Sequence, residues 1–357
     1  MSKRPSLASA WAPLAVAGLV MAGLAAGQTP SAPAAPRQPP RLGIEGPRFT
    51  VDGAPRFLIV VSYFDALRAS DATLEADFSW LRRHGIDGVR IFPNWWRCAA
   101  VRQCGGHSGD DTLMAAPDGS LRPAAVTRMK SVLATAGRHG LIVDLSFARE
   151  TVRDAQGREL AASAYAEGVV AAVRALGPLP HAMIDLQNEI YQNRLFAAAA
   201  AADAPPVARL ARRVDAGARI VFVSTNAAEA ERYTYCGGDG CPLDVLAVHD
   251  AREPDWHDRT PAVVRELVAL ASRRGPRPVY LQEPQAWQDE RAPDRVERFL
   301  DAAARAKRAG AAAWTFHTRS AFILREGRSL TTQLDAGERA VLERIRQRVD
   351  APPPTAR

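Results

Sequence analysis

The stretch His181-Ala182-Met183-Ile184-Asp185-Leu186-Gln187-Asn188-Glu189-Ile190-Tyr191 decides the fold. A short apolar run, Ala182 to Leu186, stops at Asn188-Glu189, and an aromatic follows. Apolar runs of this length between helical patterns read as buried parallel strands of an α/β protein. A carboxylate and an amide at the C-terminal end of such a strand stand where α/β barrels put their chemistry. Pro278-Val279-Tyr280-Leu281-Gln282-Glu283 has the same form, an apolar strand closing on one glutamate. Two such glutamates would face each other across a barrel mouth, whereas one alone would be an ordinary solvated residue.

Working outward, further apolar segments read as strands at Arg56–Asp65, Val89–Pro93, Leu141–Phe147, Arg219–Thr225, Asp244–His249 and Ala311–His317. Helical patterns separate most of them. One is capped by Ser70-Asp71, buries Leu74, Phe78 and Leu81, and ends at Gly85. Eight strands in this alternation predict an α/β fold, a single (β/α)8 TIM barrel. Arg48–Pro55 predicts a hairpin turning at Asp52-Gly53, placed to plug the barrel bottom. The connection 226–242 is too polar and glycine-rich for a full helix.

Residues 1–27 have the form of a secretory signal peptide, with Lys3 and Arg4, an apolar run over Ala10–Ala26, and small residues at Ala25-Ala26-Gly27. The run is short and broken by Pro13, so no stable membrane insertion is expected after cleavage. Residues 28–41 are mostly Pro, Ala and Ser and read as a linker. The barrel domain spans 42–349, and 350–357 read as a frayed tail. Secreted or periplasmic localisation follows from export. The formal net charge of +7 is spread over arginines without a basic run interleaved with aromatics, so nucleic-acid binding is not indicated. Cys98 and Cys104, and Cys236 and Cys241, form two local pairs that read as disulfides in an oxidising compartment. Neither pair has zinc-knuckle spacing. No metal and no cofactor are expected.

With these motifs in place, the chain resembles clan A glycoside hydrolases, and most of all the cellulase-like glycoside hydrolase family 5. The resemblance rests on Asn188-Glu189, on Glu283, on the opening Asp52–Phe64 and on Gly88-Val89-Arg90-Ile91-Phe92-Pro93-Asn94-Trp95-Trp96. It implies a retaining hydrolase acting on oligo- or polysaccharide or simple glycosides, with Glu189 as acid/base and Glu283 as nucleophile. Arg90 would hold the nucleophile ionised, and Asn188 would bond the sugar 2-hydroxyl. His249 would orient a carboxylate or donate to a sugar hydroxyl. Tyr63, Trp95, Trp287 and Trp314 would offer rings to the apolar faces of sugars. The chain departs from the family pattern in three places. Ser146-Phe147-Ala148 replaces a frequent His after the third strand. His249-Asp250-Ala251 replaces His-x-Tyr, and Ile190 replaces a frequent Pro. These departures leave a catalytically silent carbohydrate-binding barrel as the alternative. A serine hydrolase would need a Gly-x-Ser-x-Gly elbow, which is missing.

Mass mapping of exported, unreduced protein should find Cys98 joined to Cys104 and Cys236 joined to Cys241. Four free thiols, or cross-links between the two loops, would overturn both pairings.

Overall fold

The computed structural model describes residues 38–64, 66–93, 114, 120–147, 162–191, 205–215, 219–231, 242–250, 252–273, 275–318 and 328–352. A three-stranded antiparallel sheet comes first: β1 (Leu42–Glu45), β2 (Arg48–Val51) and β3 (Ala54–Arg56). Asp52 and Gly53 turn the β2–β3 hairpin with φ of 53° and 82°, as the Asp-Gly pair requires. Phe49 is fully buried in one cluster with Leu58, Met183, Phe222 and Tyr280, so the hairpin closes the lower barrel interior. The extra strand β1 was not among the sequence expectations.

The barrel follows as β4 (Leu58–Ser62), β5 (Gly88–Ile91), β6 (Ile142–Ser146), β7 (Ala182–Asp185), β8 (Ile220–Phe222), β9 (Ser224–Asn226), β10 (Leu246–His249), β11 (Val279–Glu283) and β12 (Ala313–Phe316). Every pairing among them is parallel. β8 and β9 are the two halves of the expected fifth strand, parted at Val223. The first half pairs with β7 and the second with β10, which brings the ring round on itself. Each strand has a helix layer outside and the barrel interior inside, which is why the strands read as apolar runs.

Outside lie α1 (Asp71–Arg83), α2 (Pro123–Arg138), α3 (Ala162–Leu176), α4 (Pro205–Asp215), α5 (Trp256–Ser272), α6 (Arg295–Ala309), the short α7 (Leu330–Gln333) and α8 (Ala336–Asp350). The Ser70 side chain caps α1, and Leu74, Phe78 and Leu81 are buried, as the periodicity predicts. Asp77 on the same helix is fully buried. It accepts from the Tyr63 hydroxyl at 2.8 Å and from the Leu330 amide at 2.7 Å, joining the end of β4 to the start of α7. Among the described residues, no helix is long and apolar enough to cross a membrane.

Gly88 opens β5 close against the start of β6. A Cβ there would lie 2.6 Å from the Ile142 carbonyl oxygen, a backbone atom that cannot swing aside. Gly88→Ala should therefore destabilise the barrel by about 1–3 kcal/mol, the usual cost of overpacking. Urea unfolding followed by tryptophan fluorescence would check this.

Candidate active site

Arg90 stands in an otherwise apolar strand. Alternation sends Val89 and Ile91 towards the helices and Arg90 into the barrel. Its guanidinium is fully buried between the Phe64 and Phe92 rings, 5.3 and 5.1 Å from their centroids. It donates to Glu283 Oε1, to Asn188 Oδ1 at 2.7 Å and to Ser146 Oγ at 2.9 Å. Asp144 and Asp185 lie beneath it at 3.7 and 3.8 Å. A group this well surrounded by acceptors orients all of them.

Glu283 reaches this cation through an irregularity. Val248 sits opposite Leu281, but His249 sits opposite Glu283, so one residue of β11 is extra. Tyr280 and Gln282 point into the barrel, and Leu281 points to the helix layer. Plain alternation would then send Glu283 outward. The bulge turns it inward as well. Its Oε2 accepts from Arg252 at 3.1 Å, and His249 Nδ1 and His317 Nε2 each lie 3.7 Å away. Burial alone would raise this carboxyl, but His249, His317, Arg90 and Arg252 together hold it well below the usual carboxylate range.

Glu189 is placed differently. β7 ends at Asp185, and the chain turns so that Glu189 takes a left-handed φ of 48°. Such a conformation costs on the order of 1–3 kcal/mol and persists only when its surroundings fix it. Ser224 does so, accepting the Glu189 amide on its Oγ at 2.9 Å and the Ile190 amide on its carbonyl at 3.0 Å. The Glu189 side chain is a quarter exposed, against 7% for Glu283. Its Oε1 accepts from the Tyr191 hydroxyl at 3.2 Å and lies 3.1 Å from His249 Nδ1. One carboxylate oxygen from each glutamate and one His249 nitrogen fall within 4.8 Å of one another. A divalent cation could face these atoms, but two guanidinium groups already neutralise Glu283, and their charge opposes it.

Burial works against a charged His249. Glu283 and Glu189 outweigh it, and the ring is raised above its ordinary value. Burial pushes His317 down to about 3 although Glu283 opposes this. It also pushes Asp144 up to about 6 against the pull of Arg90.

The structure thus gathers Arg90, Asn188, Glu189, His249 and Glu283 at one mouth. Three aromatic expectations are corrected. Tyr63 turns outward to Asp77 and Phe78. Trp287 packs on Phe299 and Phe316, gives its indole N–H to Asp335 at 2.9 Å and lies under Arg295. Trp314 is fully buried and stacks on Phe316 in the helix layer. On β12 it is the residues of the other parity, Thr315 and His317, that face inward. None of these three rings can meet a sugar. Trp95 and the four cysteines lie outside the described residues. Arg252, Gln282, Ser146 and His317 were not foreseen as site residues. Asp144 and Asp185 had a signal, since each is an acid inside an apolar strand.

No protein-family model and no curated protein matches the chain. Solved structures do. A family 5 enzyme of Prevotella bryantii B14, crystallised with a xyloglucan tetradecasaccharide, is 14% identical over 82% of this chain and 96% of its own, with a TM-score of 0.55. The fold is that of glycoside hydrolase family 5. A family 5 structure from Streptomyces cattleya in complex with Manβ1-4GlcNAc is 18% identical, covering 84% and 83%, with a TM-score of 0.52. The family 5 mannosidase of Rhizomucor miehei is 12% identical, covering 87% and 97%, with a TM-score of 0.55.

The depressed His317 gives a test by pH. Below pH 6.5 the unfolded chain protonates this ring, while the folded chain does so only near 3. Its contribution to stability is therefore complete above 6.5 and is lost as pH falls towards 3. His317→Asn escapes that loss, so the gap in melting temperature between wild type and variant should narrow from pH 7 to pH 4. Calorimetry at stepped pH would measure it.

Proposed function

We propose that the protein is an exported O-glycosyl hydrolase that cleaves by double displacement with retention, with Glu283 as nucleophile and Glu189 as acid/base. The observation that carries this reading is the pair of carboxylates with oxygens within 4.8 Å. Retaining glycosidases need carboxyls ~5–5.5 Å apart, and inverting ones need ~6.5–9.5 Å to admit a water. The two also stand in different environments. Glu283 is buried under two arginines, which keep it ionised, while Glu189 opens towards solvent.

In the first step a Glu283 oxygen attacks the anomeric carbon while Glu189 gives a proton to the departing oxygen. In the second, water attacks the same carbon, Glu189 takes its proton, and the bond to Glu283 breaks. Asn188, its amide oxygen held by Arg90, turns its NH2 end away from that cation and serves the 2-hydroxyl. The substrate is an oligo- or polysaccharide or a glycoside, met outside the cytoplasm after removal of residues 1–27. The contact from Arg252 to Glu283 favours turnover over the silent binding barrel, because the nucleophile keeps a donor where the family tyrosine is missing.

Glu283→Ala should abolish hydrolysis of every aryl glycoside that the wild type turns over. Glu189→Ala should lose about 10²- to 10⁴-fold on substrates with poor leaving groups. On a dinitrophenyl glycoside it should still form the covalent intermediate and stall there, and azide should then release a glycosyl azide of unchanged anomeric configuration. An inverted azide product, or an active Glu283→Ala, would refute the assignment.

A further inference from the structure

Gln282 has no part in the steps above, yet it is fully buried and fully engaged. Its Nε2 donates to Asp144 Oδ2 at 2.7 Å and lies 3.2 Å from Asp185 Oδ2 and 3.3 Å from Ser146 Oγ. Its Oε1 lies 2.9 Å from His249 Nε2. The chemistry leaves one orientation for the amide. Above about pH 6 Asp144 is ionised and can only accept, so the acids must face the NH2 group, and the carbonyl must face the histidine. A carbonyl can only accept, so His249 Nε2 must carry a hydrogen. The other ring nitrogen, Nδ1, is then the one that gains or loses a proton, and it looks at Glu189 Oε1 from 3.1 Å.

From this chain of contacts we infer that Gln282 is a positioning residue: it fixes His249 as the Nε2–H tautomer, so that Nδ1 shares the movable proton of Glu189. The inference rests on the role of Glu189 proposed above. With His249 neutral, Nδ1 accepts from a protonated Glu189; with His249 charged, Nδ1–H donates to the ionised carboxylate. The two forms differ only in the position of one proton between Oε1 and Nδ1. That proton leaves through Glu189 to the departing oxygen and returns from water in the second step, so nothing else is consumed. The opposite tautomer would place Nδ1–H towards Glu189 with no charge change available, and two lone pairs, on Nε2 and on the Gln282 carbonyl, would face each other.

The charges around His249 are mixed. Glu189, Glu283 and Asp185 favour its cation, and Arg90 and Arg252 oppose it, while His317, protonated only near 3, adds no charge. Its titration is therefore sensitive to which nitrogen is engaged. The two acids below Gln282 serve as the anchor. Asp144 is also held by the Tyr280 hydroxyl at 2.9 Å and by Ser146 at 3.0 Å, so a flipped amide would set its carbonyl against two carboxylates.

The test begins without substrate. Imidazole 15N spectra of the wild-type protein, with the His249 signals identified by their loss in His249→Gln, should show a protonated Nε2 at every pH and a titrating Nδ1. A protonated Nδ1 beside a bare Nε2 at high pH would overturn the inference outright. Gln282→Met removes both ends of the amide at similar volume. It should populate the other tautomer, shift the alkaline limb of kcat/KM, and lower kcat by up to about 10²-fold, the low end of what a positioned general acid supplies. Gln282→Met with an unchanged His249 spectrum and an unchanged pH profile would also overturn it. If no glycoside is turned over by the wild type, the hydrolase reading falls, while the spectra still decide the tautomer.

Discussion

Everything at the mouth of this barrel depends on one buried guanidinium. Arg90 lies inside the ring of strands with no access to water and touches or faces Glu283, Asn188, Ser146, Asp144 and Asp185. Removing such a cation from water is expensive, and only close partners on every side make it tolerable. Those partners come from β6, β7, the turn after β7, and β11. One side chain thereby sets the relative positions of four neighbouring segments. Breaking a buried pair of this kind typically costs about 3–5 kcal/mol because the remaining charges are left uncompensated. The site and the stability of the upper barrel are thus the same set of contacts.

The barrel interior has two halves with opposite chemistry. Its lower part is apolar, filled by Phe49, Leu58, Val60, Ile142, Met183 and Phe222 and sealed by the hairpin. Its upper part is polar, with Asp144, Asp185, Ser146 and Gln282 bonded among themselves and, through Ser146, to Arg90. Tyr280 spans the boundary, its ring in the lower cluster and its hydroxyl bonded to Asp144 and Thr315. The interior therefore grades from a packed floor to a charged ceiling, and Glu189, His249 and Glu283 sit on that ceiling.

The fold was legible because burial on both faces makes each strand a contiguous apolar run, and eight such runs with helical spacers leave few alternatives. Glu189 and Glu283 were legible because each interrupts such a run. The direction of an aromatic is another matter. Tyr63, Trp287 and Trp314 are apolar enough for either side of the wall. Strand parity decides, and parity is set by how the ring closes rather than by anything local. Trp314 shows this: its neighbour Thr315 faces Tyr280 across the interior, so the indole must go out. Arg252 could not be foreseen because it comes from a loop, where no periodicity constrains its side chain. Gln282 stood in plain view beside Glu283, but its role depends on the register between β10 and β11.

That register has a consequence for how this strand tolerates change in length. A parallel strand normally presents every second residue to the interior. At β11 two consecutive residues, Gln282 and Glu283, both face inward because the bulge adds a half-step. Deleting one residue between 279 and 281 would restore plain alternation, leaving Glu283 opposite His249 but swinging Gln282 into the apolar helix layer. Loops usually absorb insertions and deletions, and strands usually absorb conservative substitutions. Here a change in count alone, with no change of residue type at the site, would take Gln282 away from His249 as completely as a substitution would.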